Sequence, residues 1–285
     1  MPELPEVETV RRSIAPHAVG RTIERVKVNL PGMVKGCEIT YLTDNIIGKE
    51  IKRIDRRGKF LLLRLSQGYT LVVHLGMSGR FYYAGEEPYG GFPKHTHVLF
   101  LLNDGGFLVY NDPRRFGRIN LCRQPEKEVS AIRLMGPEPL GNSCTMDYLR
   151  DELKKRRGKI KQLLLDQNLI AGIGNIYADE ILFDACIHPE RSGQSLTPLE
   201  TARLFQSIRR VLNQGVRHRG TTISDYVDGR GVPGEFQKHL KVYGREGEPC
   251  SVCASEIQRI RVAGRSTYFC PVCQCLEQGK GSEGD

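Results

Sequence analysis

Apolar residues near the start of the chain recur every three or four positions. The series Leu4, Val7, Val10 and Ile14 lies on one face of an α-helix, because 3.6 residues complete a turn. The prolines of this stretch lie only in its first turn, where a missing backbone N–H costs nothing. The sequence therefore predicts a helix at the N-terminus.

From residue 20 to about residue 130, short apolar runs alternate with turn signals, which is typical of β-structure. The clearest hairpins are strands 59–65 and 70–75 around the turn 66–69, and strands 97–102 and 107–110 around Asn103-Asp104-Gly105-Gly106. After a Pro/Gly-rich break at 134–142, apolar spacings of three and four residues return. They predict helices at 148–155, 160–166, 176–185 and 198–214.

The chain has 285 residues, enough for about two domains, and a formal net charge of +9. That charge suits a polyanionic partner, although charge alone does not distinguish nucleic acid from another anionic surface. The start is acidic, and apolar runs such as 98–102 are far shorter than the roughly 18 residues of a membrane span. We therefore expect neither a signal peptide nor a membrane partner. Nine cysteines, an odd number, favour the reducing cytoplasm over a disulfide framework.

Four of the cysteines form two Cys-x-x-Cys pairs. Cys250 and Cys253 are followed, after 16 residues, by Cys270 and Cys273, a spacing typical of the two knuckles of a zinc ribbon. Four thiolates fill a tetrahedral Zn²⁺ and leave no open position, so we expect one structural zinc ion. The alternative is four buried cysteines without a metal. Basic residues lie between the pairs, where a metal-held hairpin can contact a phosphate backbone: Arg259, Arg261 and Arg265.

Two further segments favour nucleic-acid binding. The basic run 154–161 leads into a glycine-bearing turn and a helix predicted to open at Asn175, and exposed amides at such a helix start bind phosphate. The segment 111–117 sets Arg114 and Phe116 in one turn, as in loops that insert between bases. Each has an ordinary alternative: a solvated charged face and a loop with a buried phenylalanine. Met77, too, is more often core filler than a probe of bases.

The first residues carry candidate chemistry. Removal of Met1 would leave Pro2 as a secondary amine, with Glu3 and Glu6 on one face of the predicted helix. An amine beside an acid is the minimum needed to attack an aldehyde-like carbon and form an imine. The alternative is that proline and glutamate are simply favourable residues for a first helical turn.

The opening 2–12 is similar to the start of the formamidopyrimidine-DNA glycosylases, and so are 57–60, 74–79, 112–117, 172–180 and the four-cysteine finger. The resemblance runs in order from residue 2 to about 274. It implies an α+β protein: an N-terminal β-sandwich with a flanking helix, then a helix–two-turn–helix domain and a zinc finger. We expect a catalytic domain at 1–134, a linker at 135–148, the helical domain at 149–240, the finger at 241–274 and a flexible tail at 275–285.

The resemblance further implies excision of oxidised purines (8-oxoguanine and formamidopyrimidines) from duplex DNA, followed by strand cleavage through β,δ-elimination. Pro2 resembles the nucleophile that forms the Schiff base, and Glu3 the acid that protonates the sugar as the base leaves. Glu6 is similar to a supporting carboxylate, Lys59 to the lysine of β-elimination and phosphate contact, and Arg265 to the finger arginine of δ-elimination.

DNA contacts are implied at a further set of positions. The side chains that resemble the fillers of the flipped nucleotide's space are Met77, Arg114 and Phe116, and the other contact positions are His74, His95, Arg156 and Asn175. Arg156 stands where the family pattern suggests a lysine. The segment 219–226 resembles the loop that covers the base, but it departs from the pattern near position 224, where Gly-Gly and a basic residue are expected.

Two other functions remain open from sequence. An endonuclease VIII-like enzyme for oxidised pyrimidines is disfavoured by Leu4, where glycine is expected, and by the full loop 112–117. A non-catalytic zinc-ribbon DNA-binding protein would need neither Pro2 nor the paired glutamates. We expect a monomer that acts on DNA in the bacterial cytoplasm, associated with the nucleoid through that DNA.

Overall fold

The computed structural model describes residues 1–223, 226–229 and 231–276. The chain divides into two compact units. The first contains residues 1–135 and 214–238, and the second contains 136–213 and the residues from 239 onward. The boundaries predicted from sequence kept 149–240 together, whereas this division groups 214–238 with the N-terminal unit. Most of the predicted tail, 277–285, lies outside the described residues.

The first unit is built from a long N-terminal helix and two antiparallel sheets. Its elements are α1 (Leu4–Ala18), β1 (Ile23–Val28), α2 (Ile39–Ile46), β2 (Ile51–Arg57), β3 (Phe60–Leu65), β4 (Thr70–His74), β5 (Arg80–Ala84), β6 (Thr96–Leu102), β7 (Phe107–Asn111), β8 (Arg118–Cys122), α3 (Pro125–Glu128) and α4 (Ser130–Arg133). One sheet has the order β1-β6-β7-β5 and the other β2-β3-β4-β8. The predicted β-sandwich with a flanking helix is confirmed.

One apolar core joins the helix to both sheets. Val7, Val10 and Ile14 of α1 are at most 1% exposed and belong to the same cluster as Leu61 of β3 and Phe100 of β6. The spacing of three and four residues seen in the sequence is therefore the buried stripe of α1. Burial of this stripe fixes the helix start, and with it Pro2 and Glu3, on the sandwich.

Three details of the N-terminal unit differ from the sequence prediction. Helix α1 extends to Ala18 and so contains Pro16 in its last turn, whereas prolines were expected in the first turn only. Residues 39–46 form a helix inside the region predicted to be β-structure, and α3 and α4 are short helices near its end. Both predicted hairpins are confirmed, as β3–β4 and β6–β7.

The second unit is helical and ends in a small antiparallel hairpin. Its elements are α5 (Met146–Lys155), α6 (Ile160–Leu165), α7 (Asn175–Asp184), α8 (Pro198–Arg217), whose last residues belong to the first unit, β9 (Gln258–Val262) and β10 (Arg265–Phe269). All four predicted helices are present, and α7 opens at Asn175 as expected. No helix among the described residues combines the length and the apolar character that crossing a membrane requires.

Candidate functional site

The start of α1 buries the residues with candidate chemistry. Pro2 is buried, Glu3 is 2% exposed and Glu6 is 2% exposed, whereas Met1 is 44% exposed. Glu3 is the N-cap of the helix and forms a reciprocal capping box with Glu6, in which each side chain accepts the other residue's backbone N–H. The Glu3 N–H donates to Glu6 Oε2 at 2.8 Å. Negative charge is stabilised here by the helix dipole, so the first-turn preference and the candidate chemistry use the same two carboxylates.

The second carboxylate oxygen of Glu6 holds a distant loop. Glu6 Oε1 accepts a hydrogen bond of 2.7 Å from the backbone N–H of Thr221. Gly220 approaches so closely that a Cβ atom there would lie 2.7 Å from Glu6 Oε1, and its φ is +79°. Only glycine meets both conditions without strain. The described part of the loop resembling a base cover is thus attached to the helix that carries Pro2 and Glu3; Ser224 and Asp225 lie outside the described residues.

Lys59 precedes β3 of the second sheet, and His74 ends the neighbouring strand β4. Lys59 follows Gly58, whose φ is +54°, in the two-residue turn between β2 and β3. His74 is paired with Phe60, the residue after Lys59, and their rings are 4.7 Å apart. Burial, together with the positive charges of Arg118 and Lys59, lowers the pKa of His74 to about 4 against the pull of Asp112. The imidazole is therefore neutral at neutral pH, and Lys59 supplies the positive charge of this pair.

The loops that carry Met77, Arg114 and Phe116 expose all three side chains. Met77 is 42% and Phe116 57% exposed, and the Arg114 guanidinium lies 5.1 Å from the Phe116 ring centre. The alternatives of a core methionine and a buried phenylalanine are therefore wrong. Exposed apolar side chains on a rigid loop are available to contact a partner.

A buried carboxylate links these loops to one another. Asp112 is fully buried, and its Oδ1 accepts a 2.6 Å hydrogen bond from Ser78 Oγ while its Oδ2 accepts one of 2.8 Å from Gly117 N–H. Its own N–H donates to the carbonyl of His95 at 3.1 Å. His95 has a φ of +71°, an uncommon backbone conformation for a residue with a side chain. Asp112 therefore fixes three loop segments that carry predicted DNA contacts.

Arg265 lies in the finger, directly after a tight turn. The turn residues between β9 and β10, Ala263 and Gly264, have φ values of +49° and +75°, as a two-residue type I′ hairpin requires. Arg265 itself is exposed. The carbonyl of the next residue, Ser266, accepts a 3.0 Å hydrogen bond from Asn175 Nδ2 at the start of α7. The structure thus brings together Asn175 and Arg265, two residues that the sequence singled out separately.

A buried ion pair holds the same hairpin from a second side. Lys161 of α6 and Asp179 of α7 are both fully buried and 2.7 Å apart. Lys161 Nζ also donates to Thr267 Oγ1 at 2.8 Å, and Asp179 Oδ2 accepts from Tyr268 N–H at 3.0 Å. Burial raises the pKa of Asp179 to about 7 although Lys161 opposes this. The basic run 154–161 is therefore not exposed throughout, because the buried Lys161 attaches the β9–β10 hairpin to α6 and α7.

Arg156 is already engaged by acidic side chains. Its guanidinium donates to Glu152 Oε2 at 3.1 Å and to Asp166 Oδ2 at 2.8 Å, and the side chain is about one-third exposed. Two carboxylates around one guanidinium leave less positive potential for a phosphate. We therefore expect Arg156 to attract phosphate less strongly than the exposed Arg265 does.

The four finger cysteines converge as a metal site requires. All four sulfur atoms lie within 4.8 Å of one another, with Cys250 Sγ 3.9 Å from Cys273 Sγ and Cys253 Sγ 3.4 Å from Cys270 Sγ. Four sulfurs at about 2.3 Å from a tetrahedral zinc are separated by about 3.8 Å. The distances therefore fit a zinc ion and exceed the roughly 2 Å of a disulfide.

Sequence reasoning missed several residues that hold these sites. Among them, Glu180 of α7 is 3% exposed and accepts backbone N–H groups from Lys241, Val242 and Tyr243 at 2.9–3.0 Å, which anchors the start of the predicted finger. For Asp112 the sequence contained a local signal, because an aspartate before a proline favours a turn. No local sequence pattern marked Ser78, Thr221 or Glu180, since their hydrogen-bond partners are remote in sequence.

Family models match most of the chain, in order. The formamidopyrimidine-DNA glycosylase N-terminal domain matches residues 1–119, and the formamidopyrimidine-DNA glycosylase H2TH domain matches 135–227. The model of the zinc finger found in FPG and IleRS matches 247–274, which contains the four converging cysteines. Together with their geometry, this match establishes one structural zinc ion as the cofactor.

Individual proteins agree with the models over the whole length. The formamidopyrimidine-DNA glycosylase of Desulforamulus reducens is 49% identical over 278 residues, covering 96% of this chain and 99% of that protein. The crystal structure of the MutM (Fpg) protein from Thermus thermophilus has a TM-score of 0.87 at 43% identity, covering 97% of this chain and 100% of the other. The Lactococcus lactis Fpg, solved with abasic-site DNA, has a TM-score of 0.88 at 38% identity, covering 96% and 99%. The chain therefore belongs to the formamidopyrimidine-DNA glycosylase family, a family of DNA N-glycosylases.

Proposed function

We propose that this protein excises oxidised purines, 8-oxoguanine and formamidopyrimidines, from duplex DNA and then cleaves the strand at the resulting abasic site. The observation that carries the proposal is the buried start of α1. There Pro2 adjoins Glu3, and Glu3 is held by the reciprocal bonds with Glu6. A protein that only binds DNA has no need for an amine and an acid fixed together in this way.

In the first step, the secondary amine of Pro2, freed by removal of Met1, attacks C1′ of the damaged nucleotide. The bond from C1′ to the base nitrogen breaks, its electron pair leaves with the base, and the departing base takes up the proton that the Pro2 nitrogen loses. Glu3 donates a proton to the sugar ring oxygen as the ring opens. The product is an iminium ion between Pro2 and C1′, and its positive charge makes the C2′ proton more acidic.

Two eliminations then release the phosphates. Loss of the C2′ proton expels the 3′ phosphate, and a second elimination expels the 5′ phosphate; hydrolysis of the imine by water returns the free amine. We assign Lys59 to the first elimination and to phosphate contact, and Arg265 to the second. The exposure of Arg265 at the start of β10 and the positive charge of Lys59 beside neutral His74 support these roles.

The partner we propose is duplex DNA that contains the lesion. The formal net charge of +9 supports a polyanionic partner. The Lactococcus lactis Fpg was solved with DNA containing N7-benzyl-Fapy-dG, and it is 38% identical with a TM-score of 0.88. We propose that Met77, Arg114 and Phe116 fill the space left by the flipped nucleotide, because these three side chains are exposed on loops of one unit. His74, His95, Arg156 and Asn175 complete the proposed DNA contacts.

Replacement of the acidic residue Glu3 is expected to separate base release from cleavage at an abasic site. Glu3→Gln cannot supply the proton that accompanies base departure, so it should stop base release from an 8-oxoguanine duplex. It should retain cleavage of a pre-formed abasic site, where no base has to leave. Equal retention of base release in Glu3→Gln and the unmodified protein would overturn the assignment of Glu3. That the enzyme acts as a monomer in the bacterial cytoplasm stays a prediction.

A further inference from the structure

We propose that Ser78 and Asp112 form a latch that holds Met77 and the Arg114–Phe116 loop as one rigid unit, and that Ser78 is thereby a positioning residue for extrusion of the damaged nucleotide. This inference rests on the proposed function. Its direct basis is the hydrogen bond of 2.6 Å between Ser78 Oγ and Asp112 Oδ1.

The Ser78 hydroxyl occupies the junction of two loops. It donates to Asp112 and accepts a hydrogen bond of 3.2 Å from the backbone N–H of Arg114. Asp112 Oδ1 lies 3.3 Å from the same Arg114 N–H. Ser78 is 4% exposed and directly follows Met77. The buried Ser78 hydroxyl therefore connects, through its hydrogen bonds, the residue after Met77 to the backbone of Arg114.

Glycine at two positions allows the loops to meet. A Cβ atom on Gly76 would lie 2.5 Å from the backbone nitrogen of Gly117, and a Cβ on Gly117 would lie 1.6 Å from Tyr110 Oη. The two loops are thus in backbone contact, and the latch lies beside that contact. The backbone contact between Gly76 and Gly117 remains when the Ser78 hydroxyl is removed, so loss of the latch is expected to alter how Met77 and the Arg114–Phe116 loop are aligned more than it alters overall stability.

Extrusion of a base from the stack costs a few kcal/mol, and side chains inserted in its place recover part of that cost. The recovery depends on Met77, Arg114 and Phe116 entering together. Misalignment of the two loops should therefore slow extrusion most where the base is paired, and least where no partner base has to be released. This difference between substrates separates a positioning role from a general loss of folded enzyme.

The test uses the full zinc-loaded protein and two duplexes, with 8-oxoguanine opposite cytosine or opposite an abasic position. Under single-turnover conditions, Ser78→Ala should lose about tenfold in the rate of base release on the paired lesion, as loss of a hydrogen bond to a charged group predicts. On the unpaired lesion the loss should be clearly smaller. Ser66→Ala is the matched control, since the Ser66 hydroxyl also accepts a backbone hydrogen bond, from Glu50 at 3.1 Å; it should leave both rates unchanged.

Ser78→Cys provides a second variant if Ser78→Ala folds poorly, because the thiol has nearly the same shape but is a weak donor. It should show the same difference between the two duplexes. Equal losses on both duplexes, or rates equal to those of Ser66→Ala, would overturn the latch. If the unmodified protein releases no base from either duplex, the proposed function fails instead, so the two failures are distinguishable.

Discussion

The carboxylate of Glu6 accepts a hydrogen bond of 2.7 Å from the backbone N–H of Thr221, 215 residues further along the chain. The other oxygen of the same carboxylate accepts the N–H of Glu3. One side chain therefore ties the loop around Gly220 to the helix start that carries the proposed nucleophile and acid. Glu6 acts in this arrangement as a positioning residue.

The close approach of Gly220 to Glu6 gives the first prediction. Gly220→Ala places a Cβ 2.7 Å from Glu6 Oε1 at a φ of +79°. We expect it to lower the free energy of unfolding by about 3 kcal/mol, from backbone strain plus overpacking. Gly20→Ala is the matched control: its φ is +85°, but nothing lies within 4 Å of the added atom.

Gly20→Ala should lower the free energy of unfolding by about 1 kcal/mol, because it adds only the strain of a left-handed backbone. Urea denaturation of both variants measures the difference. Equal destabilisation of the two would show that the contact with Glu6 is not tight.

His74 predicts a loss of stability in acid. Its pKa is lowered to about 4 by burial and by Arg118 and Lys59, with Asp112 opposing, whereas the ordinary value is 6.5. The unfolded chain therefore binds a proton at higher pH than the folded protein does. Stability should fall as the pH drops below about 6.5. By pH 5, the titration of His74 should have lowered the free energy of unfolding by about 2 kcal/mol.

Replacement of His74 by glutamine removes this titration. Urea denaturation at pH 7 and pH 5 should therefore show a smaller acid loss for His74→Gln than for the unmodified protein. The same substitution at the exposed His17 is the control. An unchanged acid loss in His74→Gln would contradict burial of a neutral imidazole.

The zinc site predicts that metal holds the finger together without taking part in the chemistry. Cys253→Ser or chelation should loosen β9 and β10 and weaken DNA binding, because metal binding and folding are coupled in such sites. Freshly purified protein should contain one zinc ion per chain. Metal analysis that finds no stoichiometric zinc would overturn this, despite the convergence of the four sulfurs.

Affinity for undamaged duplex should be mostly electrostatic. The logarithm of the binding constant should fall with the logarithm of salt concentration by about 0.9 per phosphate contact. Arg265→Ala should flatten this slope by about 1. Arg156→Ala should flatten it less, because Glu152 and Asp166 already bind that guanidinium. The same effect in both variants would contradict the distinction between the exposed and the paired arginine.

Local patterns in the sequence predicted the elements that local physics determines. The turn Asn103-Asp104-Gly105-Gly106 gave the β6–β7 hairpin, and the two Cys-x-x-Cys pairs gave the zinc site. The helix at 39–46 was missed because it is short and contains the β-branched residues Ile39, Thr40 and Thr43, which favour strands.

Tertiary partners were beyond reach of any local pattern. Lys161 stands in a basic run that looks solvated, yet it is fully buried against Asp179 and the finger. The roles of Asp112 and Glu6 likewise depend on backbone groups that the fold brings from elsewhere. The sequence thus pointed to the proposed chemistry, through Pro2 and Glu3, but not to the residues that hold Pro2 and Glu3 in place.

The identity of the covalent nucleophile tests the central claim most directly. Both Pro2 and Lys59 carry amines that can form an imine with C1′. Lysine's reference pKa is about 10.4, so that of Lys59 would have to fall by about 3 for half the amine to be neutral near pH 7, whereas a terminal amine, at about 8, needs a fall of only about 1. Pro2 also adjoins Glu3, which can donate the proton that the ring opening requires.

Borohydride reduction during reaction with an 8-oxoguanine duplex, followed by peptide mapping, identifies the trapped residue. The enzyme without Met1 should be trapped at residue 2, Pro2→Gly should lose most base excision, and Lys59→Ala should turn over slowly while still giving a trapped complex. A trapped peptide that maps to Lys59, with none at residue 2, would contradict the account.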